Sequence, residues 1–147
     1  AISYFKAGAD NGNAKSQEHL AWRYFKGEGV PENHAVAAEW FLKAAIKNQP
    51  NSQSQLGFMY YMGDGVKKDD DKAFYWTSKA ASQGFLDAEK NMAVFYWEGI
   101  GVEQNIKKAI LWAKKAARRN HPEAQNFIEM IKKYAKDNNK DLREFGL

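Results

Sequence analysis

The stretch Tyr60-x-x-Gly63-Asp64-Gly65-Val66, followed by Lys72-Ala73-x-x-Trp76-x-x-Lys79-Ala80-Ala81, decides the fold because it occurs three times at one interval. Thirty-six residues earlier it reads Tyr24, Gly27-Glu28-Gly29-Val30, Ala37, Trp40, Lys43-Ala44-Ala45. Thirty-six residues later it reads Tyr96, Gly99-Ile100-Gly101-Val102, Ala109, Trp112, Lys115-Ala116-Ala117. No gap is needed, and Tyr4 lies 36 residues before Trp40. A fixed period of this size marks a unit that buries its apolar face only by stacking on the next copy. The expected architecture is a solenoid, and its expected mode of action is binding.

The same residues resemble the Sel-one-like repeat family, relatives of the tetratricopeptide repeats. The middle copy carries Leu56-Gly57, Tyr60, Gly63-x-Gly65-Val66, Asp69, Lys72-Ala73, Trp76, Lys79-Ala80-Ala81 and Gly84, with Ser52 where that family has a leading Ala. The match covers about residues 1–132. The resemblance implies an all-α, right-handed α/α superhelix of paired antiparallel helices that holds other proteins, with no catalytic residue to carry over.

Three full repeats are expected at residues 13–48, 49–84 and 85–120, after a half repeat at 1–12 and before capping helices at 121–147. First helices are predicted over 14–26, 50–62 and 86–98, each closed by a glycine able to take positive φ. Pro50 and Pro122 share one register and suit the first helical position. Asn33, Asp69 and Asn105 are N-cap residues for second helices over 34–47, 70–83 and 106–120. Alanine pairs and Trp40, Trp76 and Trp112 make the inward stripe of those helices. From Pro122 to about Lys136 a fourth first helix begins but loses the Tyr and the glycine pair. A turn at 137–140 and a short helix over 141–145 finish the chain as a cap. The half repeat fits either an N-terminal cap or a piece cut from a longer solenoid.

The 147 residues are 44% hydrophobic, enough for one cored domain. No cysteine is present, so disulfides and thiolate metal sites are excluded. No run approaches the roughly 20 apolar residues of a membrane span. Ala1 in place of Met indicates a processed form or a fragment, from which any signal peptide would already be gone. The compartment stays open between cytoplasm and periplasm. Net charge is +4, with residues 103–147 holding eleven Lys/Arg against six Asp/Glu. That excess can steer an acidic partner but is too small to argue for nucleic acid.

The glycine pairs are not phosphate loops, since each follows a helix and recurs every period. His19, His34 and His121 fall at three different repeat positions, and no nucleophile, metal-ligand or paired-carboxylate pattern emerges. Asp69-Asp70-Asp71 lacks the alternate-oxygen spacing of a calcium loop. The expectation is therefore no catalytic residue, no metal and no cofactor.

Subtracting the repeat leaves Trp22 and Trp97 unexplained. On a first helix Leu20, Ala21 and Tyr24 face inward, so positions 15, 18, 22, 25 and 26 point the other way at 100° per residue. In the resembling families this face lines a concave groove. The candidate partner-binding residues are Glu18, Trp22, Phe25 and Lys26; Ser54, Phe58, Tyr61 and Met62; and Lys90, Val94, Trp97 and Glu98. Aromatics and Met are enriched in hot spots and adaptable grooves. Their competing role is packing between first helices. Lys114, Arg118 and Arg119 depart from their repeat equivalents and form a candidate second, basic contact. The expected function is a non-enzymatic scaffold binding another protein or peptide, as a monomer or weak oligomer, with no nucleic acid and no membrane insertion. The alternatives are an immunity protein that inhibits a secreted bacterial toxin and, more remotely, a hydrolase-type enzyme.

Overall fold

The computed structural model describes residues 2–147, so Ala1 of the expected half repeat lies outside it. Among these described residues eight α-helices follow one another: α1 (Ile2–Asp10), α2 (Ala14–Lys26), α3 (His34–Ile46), α4 (Pro50–Met62), α5 (Asp70–Ser82), α6 (Leu86–Glu98), α7 (Ile106–Ala117) and α8 (Pro122–Asp137). A short 3-10 helix, Leu142–Phe145, packs back on α7. Each helix packs chiefly on its neighbours in the chain, as a stack of repeats requires. Among the described residues no helix is long and apolar enough to cross a membrane.

The caps explain why the helices start and stop where they do. Asn33, Asp69 and Asn105 accept hydrogen bonds from the backbone N–H of Val36, Lys72 and Lys108, satisfying donors that a helix start leaves free. Gly27, Gly63 and Gly99 close α2, α4 and α6 in the left-handed conformation. The second helices end earlier than predicted, at residues 46, 82 and 117. The reason is a Schellman turn with positive φ at Asn48, Gly84 and Asn120, in which Gln49, Phe85 and His121 donate back to the carbonyls of Ala44, Ala80 and Ala116.

The second glycine of each pair does more than open a turn. A Cβ on Gly65 would sit 2.5 Å from the His34 carbonyl oxygen, and one on Gly101 would be 2.8 Å from Phe74 Cβ and overlap the Asp70 carbonyl. His34 and Asp70 are equivalent positions at the start of the preceding repeat's second helix. Glycine here lets one repeat approach the next.

The core follows the repeat. Ala37, Ala38, Phe41 and Ala45 of α3 meet Leu56 and Met59 of α4 and Trp76 of α5. Ala80, Ala81, Ala88 and Met92 form the next layer, with Phe74, Tyr96 and Trp112 against it. Alanines at the contacts bring helices close, and the large rings fill what remains.

A polar ladder also ties the repeats. Gln17 Nε2 donates to the Ala9 carbonyl and Gln53 Nε2 to that of Ala45, at 3.3 and 3.1 Å. Gln83 Nε2 donates to Gln53 Oε1 at 2.8 Å, and Lys47 reaches back to the Gly12 carbonyl. In the third repeat the same places hold charges: Arg119 lies 3.2 Å from buried Glu89 and donates to the Gly84 carbonyl. The rungs keep their geometry while the chemistry changes from amide to ion pair.

At the C-terminal end, α8 packs on the preceding repeat through Ala124, Ile131 and Ala135. Ala135 stands where the earlier first helices have their terminating glycine, and α8 runs on to Asp137. The places that α2, α4 and α6 turn toward their own second helix read Ile128, Glu129 and Lys132, the last two paired at 3.2 Å. This polarity closes the stack.

Candidate partner-binding face

The first helices α2, α4, α6 and α8 present one face side by side, and the aromatic residues predicted for it have three different fates. Trp22 stands edge-on to Phe41 of α3 at 5.0 Å and to Phe25 at 5.5 Å, half-buried against the core. Phe25 stacks on the His34 imidazole at 4.3 Å, and the ring planes are 11° apart. Trp97 stands edge-on to Phe127 and Tyr134 of α8, at 5.9 and 5.3 Å, and so holds the cap. Phe58 and Met62 are the exposed pair, 44% and 58% accessible. Tyr61 links Phe58 to the stack, with ring centroids 6.4 Å from Phe58 and 5.4 Å from Phe95 of α6.

Two predicted contacts belong to the interior. Glu18 is buried and accepts from Ser52 Oγ at 2.7 Å, so this carboxylate joins repeats one and two. Its place on the outward face of the helical wheel is occupied by the neighbouring helix. Ser54 is buried as well, at the floor of a recess. Val94 is half-buried, while Lys26 and Glu98 are exposed at one edge.

The recess has a volume of about 300 Å³ and crosses α4, α6 and the start of α8. Ser54, Gln55 and Phe58 line one side, with Asp87, Lys90 and Asn91 in the middle and His121 and Glu123 opposite. Its charges are held in place. The His121 imidazole is buried, with Nε2 2.9 Å from Asp87 Oδ1. Lys90 lies 2.7 Å from Glu123 Oε2, and that ammonium holds the Glu123 carboxyl below its usual range. Helical periodicity singled out Ser54, Phe58 and Lys90 for this face. It missed His121 and Glu123, which precede or open α8 and reach the recess only through the stacking of the cap. Among the described residues no group of three His, Asp or Glu could hold a metal ion.

The candidate basic contact is mostly committed elsewhere. Lys114 donates to the Gly146 carbonyl, pinning the 3-10 helix to α7. Arg119 holds Glu89 and the Gly84 carbonyl. Only the Arg118 side chain of the three is without a hydrogen bond or ion pair among the described residues, so the charge excess on α7 serves the fold first.

Comparison with known proteins fits this geometry. The Sel1 repeat model matches residues 14–48, 50–85 and 86–121. Similar solved structures include c5321, a protective antigen of uropathogenic Escherichia coli strains with an SLR fold, at 34% identity and a TM-score of 0.87. That match covers 92% of this chain and 29% of c5321, so the chain spans less than a third of that protein's length. A Sel1 repeat protein from Oxalobacter formigenes is 34% identical, with a TM-score of 0.79 and 87% and 96% of the two chains covered. Helicobacter pylori cysteine rich protein B is 25% identical over 86% of this chain and 96% of its own, with a TM-score of 0.65. No curated protein matches the chain. Sel1 repeats are generally protein-interaction modules without catalytic activity. With three repeats matched and the Oxalobacter formigenes relative covered over nearly its whole length, the chain belongs to the Sel1 repeat family.

Proposed function

We propose that this protein is a non-enzymatic interaction module that holds an extended segment of another protein across the first-helix face, with Phe58 and Met62 as its apolar anchors. The observation that carries this reading is their exposure beside a recess that crosses three helices. Monomeric proteins seldom leave neighbouring large apolar side chains uncovered, and a rimmed apolar patch marks a docking surface. The face fits a strand-like segment. First helices about 10 Å apart make the crossing from α2 to α8 roughly 30 Å, or about nine extended residues.

A displayed library of random peptides of that length, panned on the purified protein, tests the proposal. Enriched peptides should bind the wild type and lose at least about tenfold in affinity with Phe58→Ser plus Met62→Ser. Peptides that bind both proteins equally would place recognition elsewhere.

A further inference from the structure

The exposed charges of this face change sign from one end to the other. One edge is a single repeat position that reads Lys15, Asn51, Asp87 and Glu123 along the stack. The opposite edge reads Lys26, Met62, Glu98 and Tyr134. Both rows begin with a cation on α2 and reach carboxylates on α6 or α8. The internal ion pairs leave this gradient standing. Near Lys15 the countercharge is Glu18, which is buried and turned to Ser52. At the far end Lys90 meets one oxygen of Glu123, against the three carboxylates of Asp87, Glu98 and Glu123. Asp87 remains 70% accessible and Glu123 65%, each with only one oxygen engaged. The nearest further cation of α8, Lys132, lies nine residues beyond Glu123, about 13.5 Å along the helix, and is paired with Glu129.

We infer that the bound segment is bipolar and runs in one direction: its acidic end lies over Lys15 and Lys26 on α2, and its basic end over Asp87 and Glu123. This rests on the groove reading and adds the partner's charge pattern to it. The physical reason is preorganisation. The buried imidazole holds Asp87 and the Lys90 ammonium holds Glu123, so two carboxylates stand ready for a Lys or Arg without ordering cost. Opposite charges at the two ends also penalise the reversed alignment, which sets register and direction more than affinity.

The probe is a synthetic peptide of about nine residues, with two Asp at one end, apolar residues in the centre and two Arg at the other. A nitroxide is attached at the Arg end in one version and at the Asp end in the other. With isotope-labelled full-length protein, the Arg-end label should broaden backbone amides around 87–90 and 121–124, and the Asp-end label those around 15–18. The double variant Asp87→Asn, Glu123→Gln should weaken this peptide about fivefold and leave an uncharged peptide with the same centre unchanged. Equal broadening at both ends, or an unchanged affinity in the double variant, overturns the polarity while leaving the groove in place. Broadening confined to α3, α5 and α7 or to the cap overturns the groove reading and the polarity together. A dimer whose 87–90 amides shift on dilution would assign the face to a second copy, and also overturns the inference.

Discussion

The imidazole of His34, at the start of α3, lies 2.6 Å from Asp64 Oδ1 in the glycine turn of the next repeat. Its other nitrogen faces the Phe25 carbonyl at 3.1 Å and Glu32 Oε1 at 3.0 Å. Acceptors on both sides require both nitrogens to donate, so the site suits the imidazolium. The hydrogen bond to Asp64 raises the His34 pKa above 6.5, and burial opposes this.

A pKa raised in the folded state stabilises the protein fully below the unfolded value and ceases to do so as pH rises through the folded value. Wild type should therefore lose stability relative to Asp64→Asn as pH climbs from about 6.5 upward. Urea midpoints for both proteins between pH 5.5 and pH 8.5 check this. A constant difference across that range would remove the ion pair as a stabilising link between the repeats.

Gly65→Ala and Gly101→Ala should destabilise more than Gly29→Ala, although all three glycines have positive φ. The conformational part is about 1 kcal/mol in each. At Gly65 and Gly101 the new methyl also meets the preceding repeat's backbone, adding about 1–3 kcal/mol of overpacking. At Gly29 its nearest neighbour is Ile2 Cβ at 3.9 Å. Equal losses in denaturant melts would mean the glycines serve only the turn.

Arg119→Ala should cost about 1–3 kcal/mol, because it strips the hydrogen bond from a carboxylate that is 1% accessible. The arginine itself is half exposed, so the solvent-screened attraction is the smaller part. The double change Glu89→Gln, Arg119→Gln rebuilds the amide rung of Gln53 and Gln83 and should return within about 1 kcal/mol of wild type. A double variant as unstable as the single one would show that the rungs are not interchangeable.

Trp22→Ala should unfold the protein more easily by about 2–4 kcal/mol, since the indole fills space against Phe41. Phe58→Ser and Met62→Ser should each change stability by no more than about 0.5 kcal/mol. The two classes separate by comparing melts with affinity for a panned peptide. Stability losses of the same size in both would place Phe58 in the core.

Repeat grammar made much of the fold legible. The bounds of α2, α4 and α6, the prolines at N1, the Asn/Asp caps and the glycine stops all depend on residues within a few positions of each other. Local rules of backbone conformation and hydrogen bonding settle such features. The predictions for α3 and α5 overran only by the C-cap residue, whereas that for α7 overran by three residues because Asn120 does not declare positive φ as glycine does. The fate of the groove aromatics was not legible, because it turns on what stands opposite. Phe41 gives Trp22 a ring to pack on, whereas Thr77 fills that place in the second repeat and Phe58 stays exposed.

By itself the sequence determined the period, the helix pairing, the missing glycine stop that lets α8 run on, and the pool of residues from which the binding face is drawn. Tertiary structure decided which of them are free to bind. Arg119 meets Glu89 30 residues away and Gly84 35 away, Glu18 meets Ser52 34 away, and His121 meets Asp87 34 away. Each separation is close to one period. A residue's partner therefore sits in the neighbouring repeat, at a distance set by the stacking of whole helices. Periodicity can say which way a side chain points, but only packing can say whether another side chain has already taken that space.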